Sequence, residues 1–344
     1  MLNPAAHTFL QHHLPQHSQI EKVAGDASFR SYYRVHDPAG PRILMDAPPD
    51  KEDSAPFVEI ARFLRQHGVH TPRVDVTDYE KGLFLLEDMG DVTYARALAD
   101  GADAQQLYGV AIDRLVTMQA TPLEGGTIAH GRAFDRKLLR TELALLTDWY
   151  IDGIMATPLS TMEREAFDGA FQTLLDALLE QPRFFVHRDY HSRNLMWLGG
   201  EVGVLDFQDA VMGPVTYDLA SLLRDCYIAW DAPFRQEMMA RWLAGAGEQL
   251  NYRPSAEAFE EAFDWMAVQR NLKAVGIFGR LALRDGKYGY LDDVARTMGY
   301  VRETLARYSA LEPLQRLLAE FIPAGQEPAA ATIEARQATQ ERAS

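Results

Sequence analysis

The chain has 344 residues, of which 47% are hydrophobic, and its formal net charge is −15. This length and apolar content suit two domains, or one domain of two lobes, and exclude a disordered or fibrous protein. The acidic balance argues against a general nucleic-acid binder, because such proteins usually carry a basic patch. A site for an anionic ligand would need a locally positive cleft.

The sequence also bears on where the protein works. Cys226 is the only cysteine, so no internal disulfide can form, which fits a reducing compartment. The first residues show no basic segment followed by an apolar one, and no apolar run is long enough to cross a bilayer. We therefore expect a cytoplasmic protein with no membrane or nucleic-acid partner, and the sequence indicates no obligate protein partner.

The chain to about residue 88 predicts a short amphipathic helix followed by a small, mainly antiparallel sheet. Strand-like segments separated by turn residues occur at 20–23, 29–35, 42–45, 73–76 and 83–86. One helix lies between the third and fourth strands. Ser54 and Pro56 suit its start and Gly68 suits its end.

From about Thr93 onward the apolar periodicity becomes helical. Helices are predicted at 105–118, 135–150, 162–179, 217–228, 256–283 and 291–309. The tail after residue 322 has few large apolar residues, and we expect it to be disordered. These patterns predict an α+β fold with a small lobe at 1–88, a mainly helical lobe at 89–322 and a disordered tail at 323–344.

One β segment, residues 184–207, interrupts the helical lobe. It contains two short strands joined by a Gly-Gly turn, and counting back along this hairpin places Asn194 opposite Leu205 and beside Asp206. An amide oxygen and a carboxylate brought together suit Mg²⁺, which prefers hard oxygen ligands. Asp189 precedes the first strand, where a carboxylate can accept the proton of a substrate hydroxyl.

The pattern His187-x-Asp189-x-x-x-x-Asn194, followed by Asp206, resembles the catalytic loop and metal-binding aspartate of the protein-kinase-like superfamily. The strings VHRDYHSRNLM, LDFQDA and YDLA are similar to its aminoglycoside phosphotransferase branch. The resemblance implies a protein-kinase-like two-lobed fold, ATP as phosphoryl donor, Mg²⁺ held by Asn194 and Asp206, and Asp189 as catalytic residue. It also implies that His187 braces the loop and that Asp218 accepts backbone N–H groups from it.

The resemblance places the nucleotide in the small lobe. Residues 25–35 lie where a loop between the first two strands covers phosphates, and Ser28 could approach a phosphate oxygen there. The string LLEDMG ends the last small-lobe strand and resembles the hinge whose backbone pairs with adenine. Glu87 and Met89 are therefore cofactor-binding candidates.

The third strand departs from the family pattern. Met45 stands where the family commonly has a lysine that binds the α and β phosphates. Arg30, Arg34 and Arg42 are nearby cations that could replace it, although a guanidinium is not geometrically equivalent to an ammonium. Glu59 stands where that lysine's usual acidic partner would be, but here a solvated residue on the helix face is the favoured interpretation.

Two further strings, MDAPP and QRNLKAVGIF, are similar to the anomeric sugar kinases of bacterial cell-wall recycling. That resemblance implies phosphorylation of the C1 hydroxyl of N-acetylmuramate and N-acetylglucosamine. Such an acceptor would need cations, hydrogen-bonding groups and an aromatic surface. The candidates are His191, Asp209, Arg224, Asp225, Tyr227, Arg270 and Asn271. Ordinary helix packing remains an alternative role for Arg270 and Asn271.

Other functions stay open at this stage. The acceptor could be an aminoglycoside, choline or homoserine, since net charge does not decide among them. The absent lysine also fits a degenerate module that only binds nucleotide. A metallohydrolase using His187, Asp189 and His191 is a third alternative, but no histidine follows His191 to complete its ligand set.

Overall fold

The computed structural model describes residues 2–23 and 29–343, with side chains as far as residue 339. The strands in these residues are β1 Gln19–Lys22, β2 Ser31–His36, β3 Arg42–Asp46, β4 Val74–Asp78, β5 Leu83–Glu87, β6 Arg183–Val186, β7 Leu195–Trp197, β8 Val202–Val204 and β9 Val211–Pro214. The predicted strands of the small sheet and of the hairpin all form, with ends displaced by one or two residues.

The helices of the same residues are α1 Pro4–His13, α2 Ala55–Gln66, α3 Tyr94–Ala99, α4 Ala104–Gln119, α5 Arg136–Leu145, α6 Thr161–Glu180, α7 Tyr217–Leu223, α8 Ala232–Gln249, α9 Ala256–Asp285, α10 Val294–Leu305, α11 Glu312–Phe321 and α12 Ala330–Ala343. A π-helical segment, Leu146–Ile154, continues α5. No helix in the described part of the chain is long and apolar enough to span a bilayer.

The chain forms two compact units. Unit 1 comprises residues 1–132, 187–189 and 193–211, and unit 2 comprises residues 133–186, 190–192 and 212–344. Unit 1 therefore holds the small sheet, α1 to α4 and the hairpin β7–β8. It includes more of the chain than the small lobe that the sequence predicts.

The sheet of unit 1 is antiparallel, with strand order β1-β2-β3-β5-β4 and α2 inserted between β3 and β4. Val35 and Leu44 pack on one face with Phe9 and Leu10 of α1. Since side chains alternate along a strand, Tyr32, Arg34, Ile43 and Met45 project from the opposite face. The residues on this second face are those that concern the site.

The hairpin β7–β8 has the register that the sequence predicts. Leu195 pairs with Val204, and beyond the strand end the Leu205 N–H donates to the Asn194 carbonyl at 3.0 Å. The two turn glycines have φ values of +70° and +124°, in the region where glycine is favoured. The predicted pairing of Asn194 with Leu205 is confirmed.

Unit 2 is built around the 30-residue helix α9, which contacts α5, α6, α7, α10 and the π-helical segment. Helix α7 ends at Leu223, whereas the sequence predicts a helix to residue 228. The reason is that the Asp225 carboxylate accepts the N–H of Tyr227 at 2.9 Å, a local bond that competes with helix continuation.

The C-terminal tail also differs from the expectation of disorder. It forms α12, in which Ile333 is fully buried. The Arg336 guanidinium donates to the carbonyls of Gly153 and Ile154, both at 2.9 Å, at the end of the π-helical segment. Ile333 and Arg336, together with the ion pair between Arg302 and Glu327 at 2.7 Å, thus attach a tail whose composition is otherwise polar.

Candidate active site

The three predicted catalytic side chains all belong to unit 1. The Asn194 side-chain amide donates to the Asp189 carbonyl at 3.0 Å and lies 3.5 Å from Asp206 Oδ2. Gln208 donates to the other carboxylate oxygen of Asp206 at 2.7 Å. The amide nitrogen of Asn194 is therefore used within the loop, and its side-chain carbonyl oxygen is the atom that could bind a metal.

His187 ties the start of the loop to the end of the hairpin. It is fully buried, its Nδ1 accepts the Asp189 N–H at 3.2 Å, and its Nε2 lies 2.8 Å from the Leu205 carbonyl. An N–H directed at Nδ1 requires a lone pair there, so these bonds assign the proton to Nε2. The imidazole thus fixes Asp189 relative to Asp206, which follows Leu205.

Two non-glycine residues of the loop have left-handed backbone conformations. Arg188 has φ +81° and Asp206 has φ +61°. Such conformations cost about 1 kcal/mol or more and cluster at functional sites. At Asp206 the left-handed turn follows the hairpin directly, and it presents the carboxylate to Asn194 and Gln208.

A cavity of about 510 Å³ lies within unit 1, a volume typical of ligand sites. Aliphatic and aromatic side chains of the sheet and hairpin form most of its wall. The neighbouring residues Asn194, Asp206 and Gln208, with Arg193 beside Asn194, form a polar part of this lining, here called its polar end. Its lining also includes Tyr32, Arg34, Ile43, Phe57, Leu86, Glu87, Asp88, Met89 and Phe207. The predicted hinge and the predicted metal ligands therefore share one cavity.

The hinge is held by an ion pair that sequence reasoning missed. The Arg34 guanidinium donates to Asp88 Oδ1 at 3.0 Å and to Asp91 at 3.0 Å, and the Gly90 N–H donates to Asp88 at 2.8 Å. Burial raises the pKa of Asp88, but the bonds from Arg34 and Gly90 and the charge of Arg34 outweigh it, so the net pKa is lowered. Arg34 thus acts at the hinge and is neutralised there.

The other nucleotide candidates are spread over unit 1. Glu87 and Met89 line the cavity, and the Glu87 carboxylate accepts from Arg65 at 2.9 Å. Arg42 pairs with Asp75 at 3.1 Å, on the face of the sheet that alternation directs away from the cavity. Arg30 is buried beside the cavity residue Phe57. Ser28 lies outside the described residues.

The donor set at the polar end suits a hard cation. Asp206 supplies carboxylate oxygens and Asn194 an amide oxygen, which are the ligand types that Mg²⁺ takes in proteins. Two protein ligands leave the remaining positions for water and phosphate oxygens. Among the residues described, Asn194 and Asp206 are therefore those that would hold the metal.

The acceptor candidates of unit 2 form a hydrogen-bonded cluster. Arg224 is 2% exposed and makes two bonds to Glu303, at 3.2 and 3.3 Å. Asp225 is fully buried and accepts both the N–H of Ser192, at 3.1 Å, and its hydroxyl, at 2.5 Å. Asp225 therefore positions Ser192 within the catalytic loop sequence, a contact between residues 33 positions apart that sequence reasoning missed.

The two candidates on α9 support the same cluster. Arg270 donates to Cys226 Sγ at 3.1 Å, and the Asn271 amide donates to the Arg224 carbonyl at 3.0 Å. Both side chains are buried, which agrees with the alternative of helix packing, and their contact with substrate stays a prediction. The neighbouring Lys273 pairs with Glu142 at 3.3 Å.

The remaining candidates have different surroundings. His191 and Tyr227 are in ring contact, with centroids 5.6 Å apart, and Tyr227 in turn contacts Phe278 at 6.3 Å. These three rings form an aromatic run in unit 2. Asp209 is exposed in unit 1, and Asp218 is fully buried in the first turn of α7.

Comparison with known proteins finds matches over most of the chain. The model of a protein family described as "Phosphotransferase enzyme family" matches residues 19–259. A Pseudomonas aeruginosa protein named N-acetylmuramate/N-acetylglucosamine kinase is 40% identical over 311 residues, or 90% of each chain. A Neisseria meningitidis protein of the same name is 38% identical, over 87% of this chain and 90% of the other.

Solved structures show the same fold at lower identity. An amicoumacin kinase in complex with AMP-PNP has a TM-score of 0.61 and 17% identity, covering 91% of this chain and 97% of that one. The ADP-bound aminoglycoside phosphotransferase APH(2'')-Ib has a TM-score of 0.60 and 14% identity, covering 88% and 99%. The predicted protein-kinase-like α+β fold is confirmed, and this chain belongs to the phosphotransferase enzyme family.

Proposed function

We propose that this phosphotransferase uses ATP and Mg²⁺ to phosphorylate the anomeric hydroxyl of N-acetylmuramate and N-acetylglucosamine in the cytoplasm, as a step of peptidoglycan recycling. The observation that carries the choice of acceptor is the 38–40% identity, over about nine-tenths of the chain, to proteins named as kinases of these two sugars. Aminoglycosides and choline have less support, because the aminoglycoside phosphotransferase APH(2'')-Ib and the choline kinase LicA match at 14% identity, which shows the fold alone.

The chemistry assigned to unit 1 follows from its polar groups. Asp189 accepts the proton of the acceptor hydroxyl as that oxygen attacks the γ-phosphorus, the bond to the β,γ-bridging oxygen breaks and ADP leaves. Mg²⁺, when held by Asn194 and Asp206, neutralises charge on the phosphoryl group. An anomeric hydroxyl is more acidic than an ordinary alcohol. The proton affinity of its deprotonated oxygen is therefore closer to that of the Asp189 carboxylate, which favours proton transfer.

We assign contact with the sugar to the aromatic run of unit 2. His191 and Tyr227 offer ring surface together with hydrogen-bonding atoms, which suits a pyranose with an N-acetyl group. His191 follows Asp189 by only two residues in the sequence. We assign a supporting role to the other candidates, since they bond to neighbouring side chains and backbone: Arg224 to Glu303, Asp225 to Ser192, Arg270 to Cys226 and Asn271 to the Arg224 carbonyl. Asp209 remains a second proposed contact.

The test compares each free sugar with its methyl 1-glycoside, in which the C1 oxygen is blocked. We expect the enzyme to consume ATP with the free sugars alone, and to yield a product with a sugar 1-phosphate signal in phosphorus NMR and no reducing end. Consumption with the methyl glycoside, or a product that keeps its reducing end, would refute the C1 assignment and leave the kinase activity standing. Aminoglycoside, choline and homoserine serve as competing acceptors in the same assay.

A further inference from the structure

The nucleotide cavity needs a cation near the phosphates, and the third strand does not provide one. Met45 is fully buried, and it projects from the same face of the sheet as the cavity residue Ile43. Two arginines are among the cavity's lining residues. Arg34 is neutralised by Asp88 and Asp91 at the hinge, and Arg193 directly precedes the predicted metal ligand Asn194 in the catalytic loop. A third arginine, Arg30, lies outside this lining, near the opposite end of β2.

Arg30 directly precedes β2 and lies beside the cavity wall. It is 7% exposed, and its guanidinium carbon is 5.7 Å from the centre of the Phe57 ring. Phe57 lines the cavity and packs against Phe207, with ring centroids 5.0 Å apart. Since Phe207 follows Asp206, these contacts run from the Arg30 guanidinium to the proposed metal ligand.

A carboxylate from the loop before α2 fixes this arginine. Glu52 Oε2 is 3.3 Å from Arg30 Nη2, and Glu52 Oε1 accepts the N–H of Phe29 at 3.1 Å. Glu59, on α2 itself, accepts instead the Ile128 N–H at 3.0 Å. The acidic partner of the cation is thus supplied by Glu52, ahead of the helix.

We propose that Arg30, held by Glu52, binds the phosphates of ATP in this enzyme in place of a third-strand lysine. The proposal rests on the proposed function in requiring ATP as donor, but it is independent of the acceptor. A guanidinium offers several donors in a fixed plane and can bond two phosphate oxygens while Glu52 retains one edge. The ring of Phe57 limits its movement.

The test measures binding of Mg²⁺-ATP and of adenosine separately, by calorimetry, without any acceptor. A charge-assisted bond contributes about 1.5–3 kcal/mol, so Arg30→Met should weaken ATP binding about 10- to 100-fold. Adenosine, which has no phosphate, should bind as tightly as to the wild type. Arg30→Lys should recover part of the ATP affinity, because lysine keeps the positive charge. Recovery should be incomplete, because lysine lacks the planar set of N–H donors of a guanidinium.

Two further variants separate binding from folding. Arg42→Met removes a cation from the other face of the sheet and should leave ATP affinity within about twofold. Arg30→Met combined with Glu52→Gln removes the uncompensated carboxylate, so it should restore thermal stability without restoring ATP affinity. Unchanged ATP affinity in Arg30→Met, or an equal loss for adenosine, would overturn the proposal. Failure of the wild type to bind ATP would overturn the proposed function itself.

Discussion

Gly276 lies where α9 crosses the junction between α5 and the π-helical segment, and it has no room for a side chain. A Cβ atom at this position would lie 2.4 Å from the Leu145 carbonyl carbon and 2.5 Å from the Leu146 nitrogen. Ordinary van der Waals contact begins at 3.4 Å, so the two backbones would have to separate by about 1 Å. Because the atoms met are backbone, a change of rotamer cannot relieve the clash.

The expected cost of Gly276→Ala follows from two opposing effects. Alanine is favoured over glycine by about 1 kcal/mol inside a helix. Overpacking of a close contact costs about 1–3 kcal/mol, and the upper end or more applies where backbone must move. We therefore expect the free energy of unfolding to fall by about 2 kcal/mol and Tm to fall by about 4–8 °C.

Two other glycines of unit 2 provide matched controls. Gly169, within α6, has nothing within 4 Å of an added Cβ, so Gly169→Ala should raise stability by up to about 1 kcal/mol. At Gly153 the added atom would meet only the end of the flexible Leu283 side chain, at 2.4 Å. The stability of Gly153→Ala should therefore lie between those of Gly276→Ala and Gly169→Ala. Thermal and urea unfolding followed by circular dichroism measure the series, and a Gly276→Ala protein that melts at or above wild type would refute the close packing.

Three other predictions concern charged groups. Asp189→Asn should lower kcat by about 10²-fold or more with little change in ATP affinity, because it removes the proposed base and keeps the loop shape; near-normal turnover would contradict the role. Lys273→Met should lower the free energy of unfolding in urea by about 3–5 kcal/mol, because the buried Glu142 carboxylate keeps its bond from Gln269 but loses its cationic partner, whereas Lys273→Met with Glu142→Leu should recover most of it. The lowered pKa of Asp88 means that its contribution to stability is complete above its ordinary value of 3.8 and is lost as the pH falls through the lower folded value. The Tm difference between wild type and Asp88→Asn should thus be constant near neutrality and shrink below about pH 4; a difference that shrinks between pH 5 and 7 would contradict this.

The sequence predicts well the features that local rules determine. The register of β7–β8 depends on a two-residue glycine turn and on the alternation of side chains, and both are readable over twelve residues. That register alone brings Asn194 to Asp206. The sheet of unit 1 is similarly predictable, because each strand is bounded by turn residues.

Features that depend on distant partners could not be predicted in this way. Helix α7 ends before Asp225, whose carboxylate accepts the backbone N–H groups of Tyr227 and of Ser192. Ser192 is 33 residues away in the sequence, so this contact could not be read from the local pattern. Arg224 has the chemistry of a ligand-binding residue, but its partner is Glu303, 79 residues further on. The type of a side chain indicates what it can bind, but only the fold determines which partner lies beside it.

The two departures at Met45 and Glu59 have one physical cause. A buried ammonium and its carboxylate are stable only as a pair, because either one left alone inside the protein carries an uncompensated charge. A chain that has methionine at position 45 therefore needs no acid facing it, and Glu59 is exposed and accepts a backbone N–H from Ile128. The pair Arg30–Glu52 has the same combination of charges, at the start of β2 and on the loop before α2. If Arg30 binds the phosphates as proposed, loss of the lysine is compatible with an active enzyme, because the cation and its acidic partner are then both supplied from other positions.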